Sequence, residues 1–449
     1  MLFGLPGTLQ SLVLNFLWYT TPTERNNTPI IFQLRHQHAV TNTSRIIFSD
    51  FKPGVSFSDS ETQFSVPTLN AKIPRPHTFT ALDGVQTMGW QDWDIPAPDI
   101  TKRSTLLQLG SMAFNTYAAD NSTASDWYDI SHEWGSTPYG WEPQADGMRG
   151  HVFVSTDNST VVIAIKGTSA GWMVGGGGPT VGKDKKNDNL LFSCCCARVG
   201  PTWSTVCDCY DGGYRCDTDC VEDAMKEEGL FYSVGLNLYN NVTYMYPNAN
   251  IWLTGHSLGG GLAALMGTTF GAPVVAFEAP AERLASQRLH LPRPPTTHHI
   301  THVYNNADPI PMGACTGVTS LCAIGGFALE TRCHVGQVIL YDTVQKLNWS
   351  VDIRNHGIKL VIDKLLSDDA EWKPEFNGEK EAAPSGWLSA LRWGWKKRQG
   401  EEPADDDGKV YREVPLARPA IDVEGVDGVC TDCYSWQFGS FKNRTAKCN

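Results

Sequence analysis

The 449-residue sequence predicts an α/β fold in which parallel strands alternate with helices. Three observations carry that expectation. A β-branched run, Thr160-Val161-Val162-Ile163-Ala164-Ile165-Lys166, breaks abruptly at Gly167-Thr168-Ser169. An amphipathic stretch from Glu222 to Tyr244 leads to a second apolar strand at Ile251, which ends in Gly255-His256-Ser257-Leu258-Gly259 ahead of a small-residue helical pattern. Strand-like runs then recur at Val274 to Phe277 and Ile300 to Tyr304, the alternation expected of strand–helix–strand units.

Taken in order, residues 1–22 are apolar, with no charge before Glu24. That length suits a signal-anchor, while the missing positive n-region and Pro6 sit poorly with a cleaved leader; both remain open. Residues 23–100 are rich in Thr, Pro, Asn and His and are expected to form an irregular, β-rich outer layer. Thr105 to Ala119 reads as helix, with Leu106, Leu109, Met112 and Ala113 on its apolar face. His151 to Ser155 and Thr160 to Lys166, joined through Asp157-Asn158, read as a hairpin, and Glu222 to Tyr244 as one long helix. A main domain over residues 101–366 is interrupted by an insert at 171–220, with Gly175 to Gly178 near its start and a cysteine cluster at its end. Beyond Leu366, charge and Pro/Gly/Ala content rise, which predicts a flexible tail over 367–449. Within it, segment 385–398 sets Trp387, Leu388, Leu391 and Trp395 near helical spacing beside Lys396, Lys397 and Arg398. A membrane interface or a docking site on the main domain would each accept such a helix.

The Gly255-x-Ser257-x-Gly259 turn between strand and helix is the context of a nucleophile elbow, the sharp turn of an α/β-hydrolase. A serine hydroxyl becomes a useful nucleophile only when a base takes its proton and a third group orients that base. In this fold the chain order is serine, acid, histidine. Asp308, just past the Thr301 to Tyr304 strand, is the candidate acid, although an Asp opening the Pro309 turn explains the local sequence equally well. Asp342 is held in reserve. His334 lies in a strand-like alternation, whereas His356 sits in a loop ahead of the apolar stretch Ile358 to Leu366, so the loop position selects His356 as base. His256 is on the wrong side of the elbow for that role. The oxyanion donors are expected at the Leu258 N–H and at Thr168, through its N–H and hydroxyl. Gly167-Thr168 reads otherwise as a plain strand-ending turn.

VVIAIKGTSAGW, IWLTGHSLGGGLAAL, THVYNNADPIPMG and DIRNHGIKL resemble the four blocks of class 3, triacylglycerol-type lipases. HEWGSTPYGWEPQADGMRGHVFVS, the cysteine-rich insert and CTDCYSWQFG resemble, more narrowly, the fungal vacuolar autophagic lipases over most of residues 100–365 and around 430–439. The resemblance implies Ser257, Asp308 and His356 as the triad and membrane phospholipids and neutral glycerolipids as substrates. It also implies an N-terminal anchor, a lumenal catalytic domain, passage through the secretory pathway to endosome or multivesicular body, and a role in lysing autophagic bodies and intravacuolar vesicles in the vacuole lumen. No metal or organic cofactor is needed. The insert is then expected either as a lid, hinged on its glycines with Leu190, Leu191, Phe192 and Trp203 facing lipid, or as a disulfide-stapled surface excursion.

Composition bounds the alternatives. The net charge of −12 and the lack of a basic stripe argue against nucleic acid as a partner. Seven glycosylation sequons begin at Asn26, Asn42, Asn121, Asn158, Asn241, Asn348 and Asn443. With 13 cysteines, they indicate an oxidising, secretory compartment. Cys430-x-x-Cys433 is half of a zinc site, but no second pair accompanies it, so disulfides are expected and the odd count leaves one thiol over. A carboxylesterase acting on soluble or cell-wall esters, or a membrane glycoprotein without catalysis, are the rival readings.

Overall fold

The computed structural model describes residues 30–40, 46–50, 64–80, 86–118, 127–128, 147–169, 179–196, 205–227, 230–316, 320–379, 409–424 and 429–441. Strands β1 (Ile30–Val40), β2 (Ile46–Asp50) and β3 (Phe64–Val66) come first, followed by the long hairpin of β4 (Thr68–Thr80) and β5 (Gln86–Pro98). Helix α1 (Arg103–Asn115) precedes the hairpin of β6 (Arg149–Ser155) and β7 (Thr160–Ile165). The insert contributes α2 (Val181–Leu191), β8 (Arg215–Asp217) and α3 (Thr218–Ala224). Then come α4 (Phe231–Met245), β9 (Asn250–His256), α5 (Leu258–Phe270), β10 (Val274–Phe277), α6 (Arg283–Arg288) and β11 (Ile300–Asn305). After α7 (Leu321–Gly325), β12 (Gln337–Tyr341) and α8 (Thr343–Lys346), a single 3-10 turn (Ile353–His356) leads into α9 (Ile358–Val361) and a π-helical turn (Ile362–Leu366). The last elements are β13 (Glu375–Glu379), β14 (Lys409–Arg412), β15 (Arg418–Pro419), α10 (Ala420–Glu424) and β16 (Gln437–Gly439).

One mixed sheet organises the molecule, in the order β15-β12-β11-β10-β9-β7-β6-β1-β2, with β3 also paired to β1. Its centre, from β12 through β11, β10 and β9 to β7, is parallel; the flanks are antiparallel. The register brings Ile165, His256, Phe277 and Asn305 close to one edge, since Ile165 faces Gly255 and Phe277 faces His256 and Val303. Loops leaving the C-terminal ends of these strands therefore converge, as they do at the ligand crevice of open α/β sheets.

The central strands read as continuous apolar runs because both faces are covered. On one face Val161, Ile163, Ile165, Ile251, Leu253 and Val274 pack beneath α4, α5 and the insert; on the other Val162, Ala164, Trp252, Val275 and Phe277 pack against α1 and the 358–366 turns. The expected single helix from Glu222 to Tyr244 is in fact two, α3 and α4. The break places Leu230 and Phe231 in the core, and the Phe231 N–H donates to Asn187 Oδ1 of α2 at 2.7 Å, so the insert caps the helix that precedes the elbow.

The insert itself differs from a lid with a lipid-facing apolar surface. Leu190, Leu191 and Phe192 have no exposed surface and belong to the main core. A Cβ on Gly261 of α5 would lie 2.6 Å from the Phe192 ring, so the small residue on the helix is matched to the large one on the insert. Gly175 to Gly178 and Trp203 lie outside the described residues. Disulfides link Cys195 to Cys216, Cys196 to Cys207 and Cys209 to Cys220 within the insert. Cys194 bonds Cys433 and Cys333 bonds Cys430, so the two cysteines of the half-zinc motif fasten the C-terminal stretch to the body, where β16 pairs with β8. Cys315–Cys322 closes a small loop, and Cys448 lies outside the described residues. So do the apolar 1–22 and basic 385–398 segments; among the described residues no helix is long and apolar enough to cross a membrane.

Phe192→Ala is expected to lower unfolding free energy by about 3–5 kcal/mol, the usual cost of truncating a buried phenylalanine. Urea unfolding measures this. A stable Phe192→Ala protein with a selective defect on bilayers would restore the lid reading.

Candidate active site

The elbow is built by backbone contact. Ser257 has φ 56° and ψ −130°, a conformation that L-residues seldom adopt, held by its N–H donating to the Phe277 carbonyl at 3.0 Å and its carbonyl accepting from Gly261 N–H at 3.0 Å. A Cβ on Gly255 would lie 2.5 Å from the Gly259 backbone, and one on Gly259 would lie 2.1 Å from the Ile165 carbonyl oxygen. The two glycines of the motif are thus the points where β9, α5 and β7 touch. Neither position has room for alanine.

Three side chains meet above this turn. His356 Nε2 lies 2.8 Å from Ser257 Oγ, and His356 Nδ1 lies 2.6 Å from Asp308 Oδ2. Asp308 and His356 have no exposed surface and Ser257 has 3%. Asp308 Oδ1 also accepts the Ile310 N–H at 2.9 Å. The loops that carry the acid and the histidine are stitched together: Asp352 N–H donates to the Ala307 carbonyl at 3.0 Å, and Asn305 Nδ2 to the Asn355 carbonyl at 3.1 Å. A pair 48 residues apart in sequence is thereby held as one unit.

His256 has a different task. Its Nε2–H donates to the His356 carbonyl at 2.8 Å, and its Nδ1 accepts from the Tyr117 hydroxyl at 2.7 Å. Burial, reinforced by the neighbouring His356, holds its pKa well below the ordinary histidine value. The neutral ring thus fixes the backbone of His356, a role that no local sequence signal announces. His334, read as structural, is buried with Nε2 donating to the Ala279 carbonyl at 3.1 Å. Asp342 is occupied elsewhere: it caps α8, accepting from Gln345 N–H at 3.2 Å, and accepts from Asn306 Nδ2 at 2.6 Å.

The oxyanion side keeps one of the two Thr168 donors that the sequence suggested. The Thr168 hydroxyl donates to Asp188 Oδ2 at 2.5 Å, which leaves its N–H as the group available to a substrate oxygen. Leu258 opens α5, so its N–H is among the first-turn donors that have no acceptor within the helix. Asp184, one turn before Asp188 on α2, accepts the Ser169 N–H at 2.9 Å and lies 3.7 Å from Lys166 Nζ. Two aspartates on one face of the insert helix therefore hold the loop after β7. Their four-residue spacing was the available signal.

The family described as Lipase (class 3) matches residues 229–316. The chain is 46% identical over 399 residues to the ATG15 protein of Cryptococcus neoformans var. neoformans serotype D, covering 83% of this chain and 74% of that protein. It is 45% identical over 366 residues to the ATG15 protein of Mycosarcoma maydis, covering 78% of this chain and 69% of that one. The chain belongs to the ATG15 family of class 3 lipases. Among solved structures, the Lip2 lipase from Yarrowia lipolytica is 16% identical with a TM-score of 0.30, covering 55% of this chain and 80% of that chain. At that score the fold is read from this lipase's own sheet order instead.

Among the described residues, two groups of side chains bring metal-ligating atoms together. Cys196, Cys207 and Cys209 lie close together but are all in disulfides. Glu282, His302 and His334 form a buried cluster of donor atoms within 4.8 Å of one another. His302 Nε2 is 3.2 Å from Glu282 Oε1, so two of the three donors already face each other. Of the sequons, Asn158, Asn241 and Asn348 are exposed, and Asn26, Asn42, Asn121 and Asn443 lie outside the described residues.

Burial is the main cause that pushes the Asp188 carboxyl up to about 8, with the neighbouring Asp184 adding to it. Asp188 Oδ1 has no hydrogen-bond partner, the oxygen expected to carry the proton. The folded lipase then keeps a proton that the unfolded chain releases above the ordinary carboxyl value, so this contribution to stability falls as pH rises from about 4 to about 8. Asp188→Asn removes that loss. Its stability relative to wild type should rise steadily from pH ~5 to pH ~8 in urea titrations; a pH-independent difference would mean that Asp188 is ionised throughout.

Proposed function

We propose that this lipase hydrolyses acyl esters of membrane glycerolipids, phospholipids and neutral glycerolipids alike, by an acyl-serine mechanism. The observation that carries the proposal is the continuous hydrogen-bonded chain from Asp308 through His356 to Ser257 on a strained elbow. His356 takes the Ser257 proton as Oγ attacks the ester carbonyl, and Asp308 holds the Nδ1–H tautomer and supports the imidazolium that forms. The Leu258 and Thr168 N–H groups receive the oxyanion. His356 then returns the proton to the leaving alcohol, and water, activated by the same base, releases the fatty acid. Ester hydrolysis supplies its own nucleophile and proton carrier, so no cofactor enters.

The working place that fits this chemistry is the lumen of the secretory pathway, ending in the vacuole, with autophagic bodies and intravacuolar vesicles as substrates. Six disulfides among the described residues support an oxidising compartment, and kinship with the ATG15 proteins supports the autophagic role.

Fatty-acid release from phospholipid liposomes at pH ~5 and pH ~7 tests the reading. Ser257→Ala and His356→Ala should each lose at least about 10⁴-fold in turnover while remaining folded, and Asp308→Asn about 10⁴-fold. Serine-dependent cleavage of a soluble ester with none on liposomes would move the assignment to a carboxylesterase. A folded protein that a fluorophosphonate probe fails to label at Ser257 would end the catalytic reading.

A further inference from the structure

Directly after β10, Glu278 is fully buried with φ 43°, held by its N–H donating to the Val303 carbonyl at 3.0 Å. Its Oε1 accepts from the Asn305 N–H at 3.1 Å and from Asn305 Nδ2 at 2.8 Å. Asn305 cannot turn its amide round, because Asn305 Oδ1 is engaged by the Ala307 N–H at 3.1 Å and by the Thr343 hydroxyl at 3.3 Å. Glu278 Oε2 is a buried oxygen without a hydrogen-bond partner, and the neighbouring carboxyl is that of Asp308, whose N–H donates to the carbonyl of the same Asn305 at 3.2 Å.

Two neighbouring carboxyl groups in a buried site are not both ionised. Which one keeps the proton follows from their partners. Asp308 faces a histidine Nδ1 and a backbone N–H, both of which favour its anion. Glu278 has only the neutral donors of Asn305. Glu282, four residues on and equally buried, shows the contrast: an imidazole, that of His302, stands 3.2 Å from its Oε1. The proton therefore belongs on Glu278 Oε2, and the orphaned oxygen becomes a donor with an acceptor in front of it.

Resting on the triad proposed above, we infer that Glu278 is a positioning residue: a neutral carboxylic acid whose O–H donates to Asp308 and holds that carboxylate anionic and aimed at His356. Asp308 then accepts from Ile310, His356 and Glu278 together. A carboxylate so supplied is fixed in direction, so it keeps the His356 ring in the orientation that reaches Ser257 and then the leaving alcohol. Burial, with the charge of Asp308 second, pushes the Glu278 carboxyl well above the usual range, in keeping with this assignment. The titratable groups facing it are Asp308 from the loop after β11 and, beyond Asp308, His356. Activity that depends on the Glu278 proton is present below its raised pKa and is lost as pH rises through it.

The test uses the full chain, a soluble short-chain ester and a fluorophosphonate probe. Glu278→Gln keeps a neutral donor and the acceptor for Asn305. It should retain kcat within about threefold at acidic pH and shift or abolish the alkaline fall in activity. Glu278→Ala should lower kcat and the labelling rate of Ser257 at least about tenfold with KM little changed, since Glu278 touches Asp308 rather than substrate. Infrared difference spectra on the Asp188→Asn background, which removes the carboxyl pushed up to about 8, should show a buried protonated-carboxyl band that Glu278→Gln abolishes. A Glu278→Ala protein that melts like wild type and turns over at the wild-type kcat would overturn the inference. So would a carboxyl band that Glu278→Gln leaves unchanged, or an unchanged alkaline limb in that variant, both read on the Asp188→Asn background; these two readings decide the matter should Glu278→Ala not fold. Failure of the parent proposal is separately visible, as activity that survives in Ser257→Ala whatever stands at 278.

Discussion

Gly259 and the carbonyl of Ile165 approach so closely that a single methyl group would not fit between them, and the site is assembled around that contact. It presses the first turn of α5 onto the end of β7, which sets the Leu258 N–H beside the loop that carries Thr168. The same approach forces Ser257 into its positive-φ conformation, lifting the hydroxyl off the sheet. The register of the parallel strands does the rest, since β10 and β11 end level with the elbow and deliver the acid loop to it. Tight backbone packing, with glycine at the meeting points, is what lets groups from distant parts of the chain share a few ångströms.

Around this centre the polar groups are ordered in layers. Ser257, His356 and Asp308 form the inner line, and buried neighbours fix the groups around it: His256 the backbone of His356, Asp188 the side chain of Thr168, Asn305 both the 355 carbonyl and Glu278. Several of these neighbours are ionisable residues kept neutral by burial. Neutral donors and acceptors specify direction without adding charge that the reaction would have to work against, which suits a pocket where charge develops only in passing.

Much of the centre was legible in the sequence because it is local. The strand, the Gly-x-Ser-x-Gly turn and the small-residue helix lie within a single run, so their periodicity and spacing reveal them. Asp308 and His356 were reachable through chain order and loop position, and the structure brings both to Ser257. What stayed hidden depends on partners far away in sequence. Leu190, Leu191 and Phe192 look like an exposed apolar patch until α5 is laid against them. The Thr168 hydroxyl looks free until Asp188, twenty residues on, claims it. Glu278 follows an apolar strand with nothing beside it to say that another carboxyl will stand opposite. The long helix before the elbow is split because its second half takes its cap from the insert, a tertiary choice that helical periodicity cannot show.

The fastening of the insert ties the loop after β7 to the oxidation state of the chain. Helix α2 carries both aspartates that brace the loop at Thr168, and it runs directly into Cys194, Cys195 and Cys196, each bonded to a different distant cysteine. The brace therefore belongs to the oxidised protein. A chain still in a reducing environment lacks the staples that seat α2 and so lacks a finished oxyanion loop. A lipase built this way is finished as a catalyst by the same bonds that finish its fold.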